Sequence, residues 1–356
     1  NSTHIRLNSL IRTVPITSNP DEDGSIEDFN NTSIPEQFYK ISITHGQHYK
    51  AGFTYNRYMG QPEEIYTAKR FIQIEKFSLM GLNLDRLVLG NFTASYGQGV
   101  VFESSDIFSP RRTGFGFSKR TEGIHADMTR SSQYVMQGAA VQLSNDKFRA
   151  SFFASLHPRD AIINADSSFT SLIIMQPRLP FGVDDSSTIY HSLIRSVNEM
   201  TWGGNFQITP VIGTHFGLTF YESLYDRTLD PQVIETILGG DDPDYSGDTY
   251  YLTYLTNSAD PEIEAMYYNY GSSDIWSSAK SFRRVLGFDF STVIKNIVIQ
   301  GEYGSLLKNF NPTILKAFKQ SPQASVLSAY FQFSNFNLLT LYRNYDLEFD
   351  NPYQRS

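Results

Sequence analysis

Apolar and polar side chains alternate with a period of two along most of this chain, and each alternating run folds back on another through a short polar turn. The clearest unit covers residues 135–156. Val135, Ala139, Val141 and Leu143 fall on one face, and Met136, Gly138, Ala140 and Gln142 on the other. Ser144-Asn145-Asp146-Lys147 then supplies residues that tolerate the positive φ of a tight turn. The return run sets Phe148, Ala150, Phe152, Ala154 and Leu156 against Arg149, Ser151, Ser155 and His157. Successive side chains of a strand point to opposite faces, so the pattern predicts an antiparallel hairpin with one greasy and one polar face. The unit recurs at residues 38–58, 202–220 and 286–302, and a last alternating run covers 327–333.

Connection lengths carry the next step. Short turns fall near residues 45, 80, 145, 211, 295 and 335, and between them lie long connections at roughly 15–37, 59–69, 97–132, 158–198, 225–280 and 306–324. Strict alternation of short and long predicts that all long connections share one end, as in outer-membrane barrels with short periplasmic turns and long extracellular loops. The competing architecture is a soluble antiparallel sandwich or propeller, whose strands also alternate. Runs of about 9–12 residues favour the barrel, because a tilted strand crosses the hydrocarbon in about 9–11 residues and ordinary strands have about 5–6. The expected fold is an all-β, antiparallel transmembrane β-barrel of about 14 or more strands, forming one domain over residues 1–356. About 13 strands are countable, the first from His4 and the last to Asp346, and single-chain bacterial barrels have even numbers. At least one closing strand is therefore expected beyond them, with Phe349 to Tyr353 reading as the start of another outer loop.

Composition agrees. Hydrophobic residues make up 40% and aromatics 14%, carried by 27 Phe and 22 Tyr against 2 Trp. A barrel needs only alternate residues apolar, plus aromatic girdles. Mean hydropathy is −0.32. No apolar run approaches the roughly 18 residues that a membrane-spanning helix needs, which excludes transmembrane helices. The absence of cysteine removes disulfides and thiolate chemistry. A net charge of −8 without bunched cations argues against nucleic-acid binding. The chain begins at Asn1 with no visible signal peptide and reads as processed or trimmed.

Two segments resemble a known group. Residues 87–100, LVLGNFTASYGQGV, are similar to a "GDYxxxFGQGL" strand, and residues 342–355, YRNYDLEFDNPYQR, to a "YRxYDxxFDNPYxR" segment. Gly60-Gln61-Pro62 with Ile65-Tyr66 stands where a Gly-x-Pro loop would. The motifs are those of a poorly characterised group of Gram-negative barrel proteins that often carry an N-terminal helix-hairpin-helix domain. Asn91 replaces the usual Asp, and no helix-hairpin-helix segment is present, which removes an inherited suggestion of DNA binding. The resemblance implies an outer-membrane barrel of unknown activity, with no catalytic residues to carry over.

Candidate chemistry follows from the polar faces. Lys50, Arg149, Asn205, His215, Asp289, Gln300, Glu302 and Gln332 are expected to line a lumen, with Phe152, Phe206, Leu218, Phe288 and Ile299 facing lipid. Arg111, Arg112, Lys119 and Arg120 form a basic loop with Phe115 and Phe117 that would constrict the pore if it folds inward, and would touch lipid phosphates if it stays outside. Asn19, Asp21, Asp23, Ser25 and Glu27 follow calcium-loop spacing around Gly24, but Asn30 cannot supply the usual bidentate carboxylate; a solvated outer loop is the competing reading. Asp241, Asp242, Asp244 and Asp248 make a second acidic loop, suited to solvation or to a cation bridging lipopolysaccharide. His215 near Asp289 would be the start of an embedded hydrolase site, although an inward His is more often lumen lining.

The expected function is an outer-membrane channel or substrate-specific uptake pore, not an enzyme and without a cofactor unless calcium binds. The alternatives are a non-transporting scaffold for a secretion or surface-assembly complex, and a barrel-embedded hydrolase. Expected surroundings are outer-membrane lipid and lipopolysaccharide, with a periplasmic or surface protein as partner and no nucleic acid.

Overall fold

Strands account for all regular structure in the described part of the computed structural model, which covers residues 2–12, 35–58, 66–79, 81–104, 122–130, 135–163, 167–172, 195–229, 281–307, 322–347 and 349–354. In chain order they are β1 (Thr3–Arg12), β2 (Glu36–His45), β3 (Tyr49–Arg57), β4 (Thr67–Leu79), β5 (Leu82–Ser95), β6 (Gly123–Ala126), β7 (Met136–Ser144) and β8 (Phe148–Arg159). There follow β9 (Ala161–Ile163), β10 (Phe169–Leu172), β11 (Val197–Val211), β12 (Thr214–Tyr225), β13 (Ser281–Ile294), β14 (Ile297–Leu306), β15 (Gln323–Gln332) and β16 (Asn337–Tyr345).

Thirteen of these form one antiparallel sheet in sequence order, β1-β2-β3-β4-β5-β7-β8-β11-β12-β13-β14-β15-β16; β6 pairs with β5 off this path, and β9 with β10 makes a separate two-stranded sheet. The expected hairpins are present in register: Val141 opposes Phe152, Phe206 opposes Leu218, Asp289 opposes Glu302, and Ala329 opposes Thr340. Each is closed by a short connection, while every pairing across a long connection joins the opposite strand ends. Among the described residues β1 pairs only with β2 and β16 only with β15.

The two faces of the sheet are inverted relative to a soluble protein. Phe152, Phe206, Leu218 and Phe288 expose between 48% and 58% of their surface, whereas Asn205, Asp289 and Glu302 expose 6%, 4% and 3%. Exposed large apolar side chains over buried polar ones is the informative combination, since isolated exposed apolar residues are ordinary.

The sheet also curls around its polar face. Phe92 is the last β5 residue paired with β7, and Gln98 donates its backbone N–H to Glu302 on β14. Six inter-strand steps at about 4.8 Å would separate β5 from β14 by roughly 29 Å in a flat sheet. Six residues of chain reach at most about 20 Å. Only a sheet bent toward its inner face lets that hydrogen bond form.

Candidate functional site

The inner face is crossed by two segments that the connection pattern assigns to the outside. By that pattern residues 97–104 belong to the long loop 97–132, and 349–353 to the start of a further one; both instead fold inward. The first is a hairpin growing from β5. Ser95 bridges Glu103, Tyr96 N–H donates to Phe102 O at 3.0 Å, and Ser104 N–H to Ala94 O at 2.9 Å. Its tip, Gly97-Gln98-Gly99, turns through φ of 52° at Gly97 and 80° at Gly99. That is the left-handed region, which glycine enters without steric cost.

At the tip, successive backbone N–H groups converge on one carboxylate. Glu302 accepts from Val100 N–H at 3.0 Å and from Val101 N–H at 2.9 Å, besides Gln98 N–H. Such a concave run of N–H groups binds anions, and here the protein supplies its own. Asn351, from the segment after β16, donates to Val100 O and Val101 O at 2.9 Å each and accepts from Tyr353 N–H at 3.0 Å and from the Tyr221 hydroxyl at 2.5 Å. Glu103 N–H in turn donates to Tyr353 O at 2.9 Å. The two segments thus form one plug against the inner face, and they overlap residues 87–100 and 342–355, whose motifs resemble those of the barrel group.

Around these hydrogen bonds lies a buried aromatic core. Phe102 stacks on Tyr353 at 4.6 Å between ring centroids, meets Phe153 at 4.7 Å and Tyr221 edge-on at 5.0 Å. Within this core Arg159 Nε donates to Glu199 Oε2 at 2.6 Å, and the Tyr353 hydroxyl accepts from Arg159 Nη2 at 2.6 Å while donating to Glu199 Oε2 at 2.8 Å. Burial pushes the Tyr353 hydroxyl well above its ordinary range, so it stays protonated and can play both parts; burial does the same to Tyr96. The sequence signal for this core was available: Phe71, Val88, Phe153, Tyr221 and Val285 are apolar residues on faces otherwise polar.

β6 completes the plug. It pairs with Phe92 to Ser95 of β5 and is held by Arg86 and Gln142, which oppose one another in the wall. Arg86 Nη1 donates to Ile124 O at 2.6 Å and to His125 Nδ1 at 2.9 Å, and Ile124 N–H donates to Gln142 Oε1 at 3.1 Å. His125 Nε2 donates to Glu122 O at 3.0 Å, and burial followed by the Arg86 charge lowers its pKa. Lys69 and Asp127 form a buried ion pair at 2.5 Å beside it.

The expected lumen residues divide. Glu302 holds the plug tip, and Gln300 Oε1 accepts from Gln98 Nε2 at 3.3 Å. Asn205 Nδ2 donates to Thr219 Oγ1 at 2.9 Å on the inner face. His215 Nε2 stands 3.9 Å from Asp289 Oδ2. That separation is too long for a hydrogen bond. Lys50 and Arg149 line a cavity of about 620 Å³ near the short turns, together with Glu75, Lys76, Asp85 and Arg86. Gln332 sits exposed at the turn into β16, its carbonyl accepting from Asn296. Arg111, Arg112, Lys119 and Arg120, the calcium-like segment Asn19 to Glu27, and the acidic loop at Asp241 to Asp248 lie outside the described residues. Among the described residues no group of three or more His, Asp or Glu side chains converges as metal ligands.

No protein-family model matches this chain, and no curated protein matches it.

Proposed function

We propose that this chain forms the membrane-embedded wall of a bacterial outer-membrane β-barrel that works as a gated uptake pore, closed by its own plug. The membrane part of the reading is supported by the inverted faces. An apolar belt from Phe152, Phe206, Leu218 and Phe288 over a polar interior suits lipid outside and water or protein inside. The observation that carries the gating is the Glu302 clamp on the hairpin tip. A passive channel would leave the inner face wet, whereas here two segments pack against it. The tip is held by polar latches, Glu302 on its N–H groups and Asn351 on its carbonyls.

The alternative of a non-transporting scaffold draws support from the aromatic packing of Phe102, Phe153, Tyr221 and Tyr353, which is that of a permanent core. Planar-bilayer recording separates the two. The gated reading expects the unmodified protein to be mostly closed, and the double variant Glu302→Ala, Asn351→Ala to open with stable, ion-selective steps. A folded double variant that stays silent makes the scaffold the function.

A further inference from the structure

The cavity at the short-turn end combines three features that a structural gap would not need. Its volume is about 620 Å³. Small-molecule sites occupy roughly 300 to roughly 1000 Å³, so the size is that of a ligand site. Its charge is unbalanced. Lys50, Lys76, Arg86 and Arg149 face it with only Glu75 and Asp85 as carboxylates, four positive charges against two negative. Glu122 near Arg149, at 3.7 Å, still leaves one in excess.

The carboxylates are already engaged. Glu75 takes Lys50 at 2.7 Å, and Asp85 accepts from Gln142 at 3.0 Å and Ser144 at 2.7 Å. Among the cations, Lys50 is held by Glu75 and Arg86 by Ile124 O and His125, which leaves Lys76 and Arg149 the less engaged. Lys76 stands 3.9 Å from the Glu75 that Lys50 holds, with 67% of its side chain exposed. Arg149 Nε is buried without a hydrogen-bond partner.

The backbone is irregular at this spot. Lys76 adopts φ of 61°. That conformation is costly for a non-glycine residue inside a strand. On the neighbouring strand the register against β7 shifts between Leu84 and Arg86, a bulge at Asp85. Bulges re-aim side chains and recur beside binding sites. Here one brings consecutive residues, Asp85 and Arg86, to the same cavity.

We propose that this cavity binds a small organic anion, a solute bearing carboxylate or phosphate groups, with Lys76 and Arg149 as its principal contacts. Walls of protein around the cations focus their field into the cavity, which favours an anion over a neutral or cationic solute of equal size. The site needs neither an open plug nor a membrane outside the wall, so it stands or falls separately from the gated-pore reading.

The test is calorimetric titration of the whole chain, folded in detergent micelles and checked by heat-modifiable gel mobility, with succinate and with inorganic phosphate as probes. Putrescine and glucose serve as cationic and neutral controls. Saturable binding of an anionic probe is expected, weakened by added salt and by roughly tenfold or more in Lys76→Gln and in Arg149→Gln, with Arg149→Lys retaining more than Arg149→Gln. The Glu302→Ala, Asn351→Ala variant should bind within about twofold of the parent, whatever its conductance. The proposal is overturned by folded protein that binds neither anion, by putrescine binding as well as succinate, or by affinity unchanged in the Lys76→Gln, Arg149→Gln double variant.

Discussion

Arg159, the last residue of β8, donates to the hydroxyl of Tyr353 at 2.6 Å, so the wall is joined to a segment nearly two hundred residues later in the chain. Glu199 completes the group, and all three side chains are buried. Removing one member of a buried ion pair leaves an uncompensated charge, at a cost of about 3–5 kcal/mol. Arg159→Ala is expected to lose about that much in urea unfolding from micelles. Tyr353→Phe, which keeps the ring packing and removes only the hydroxyl, should lose about 1–3 kcal/mol. An Arg159→Ala protein with an unchanged urea midpoint would show that the plug is not joined to the wall here.

Gly97 is where the hairpin tip meets its clamp. Its φ is 52°, and a Cβ there would stand 2.7 Å from the Glu302 carboxyl carbon. Gly213, in the short turn after β11, has φ of 84° but meets nothing closer than 3.4 Å. Alanine at either position bears the left-handed penalty of about 1–2 kcal/mol. Only Gly97→Ala should also displace the tip. Limited proteolysis should therefore cut between residues 96 and 104 in Gly97→Ala and leave that segment intact in Gly213→Ala.

The apolar belt predicts an asymmetry between faces. Under the membrane reading, Phe206→Arg or Phe288→Arg should cost about 2–4 kcal/mol when refolding is measured in lipid bilayers, because the charge would enter hydrocarbon. Asn83→Arg, at the exposed lining of the cavity, should cost under about 1 kcal/mol. Equal losses at Phe206 and Asn83 would remove the bilayer from the picture.

Acid should loosen β6. His125 is neutral in its hydrogen bonds to Arg86 and Glu122, and burial together with the Arg86 charge puts its folded pKa below the ordinary value of about 6.5. Between those two values the unfolded segment binds more protons than the folded one, so stability rises with pH. The contribution is complete above about pH 6.5 and is lost as pH falls toward the folded pKa. Hydrogen exchange at residues 122–127, corrected for intrinsic rates, should show lower protection at pH 5 than at pH 7.5. In His125→Gln the difference should disappear.

The strands and their turns were legible because their cause is local. Alternation along 135–156 or 202–220 sets the faces, and Asn145-Asp146 or Ile212-Gly213 sets the reversal, each within one hairpin. The all-β class, the antiparallel order, the sites of the short turns and the sidedness of Phe152 against Arg149 therefore follow from the order of residues. The plug was not legible, because its bonds are between distant residues. Asn351 reads as a loop residue until Val100 and Val101 stand beside it, and Glu302 reads as lumen lining until the Gly97–Val101 backbone closes on it. Phe153 and Tyr221 did break the polar faces, a signal that something apolar lay inside but not what. The bulge at Asp85 likewise has no local marker, since only pairing with β7 creates it. What fills the interior depends on the folded whole, because alternation sets which way a side chain points, and curvature of the entire sheet sets what it meets.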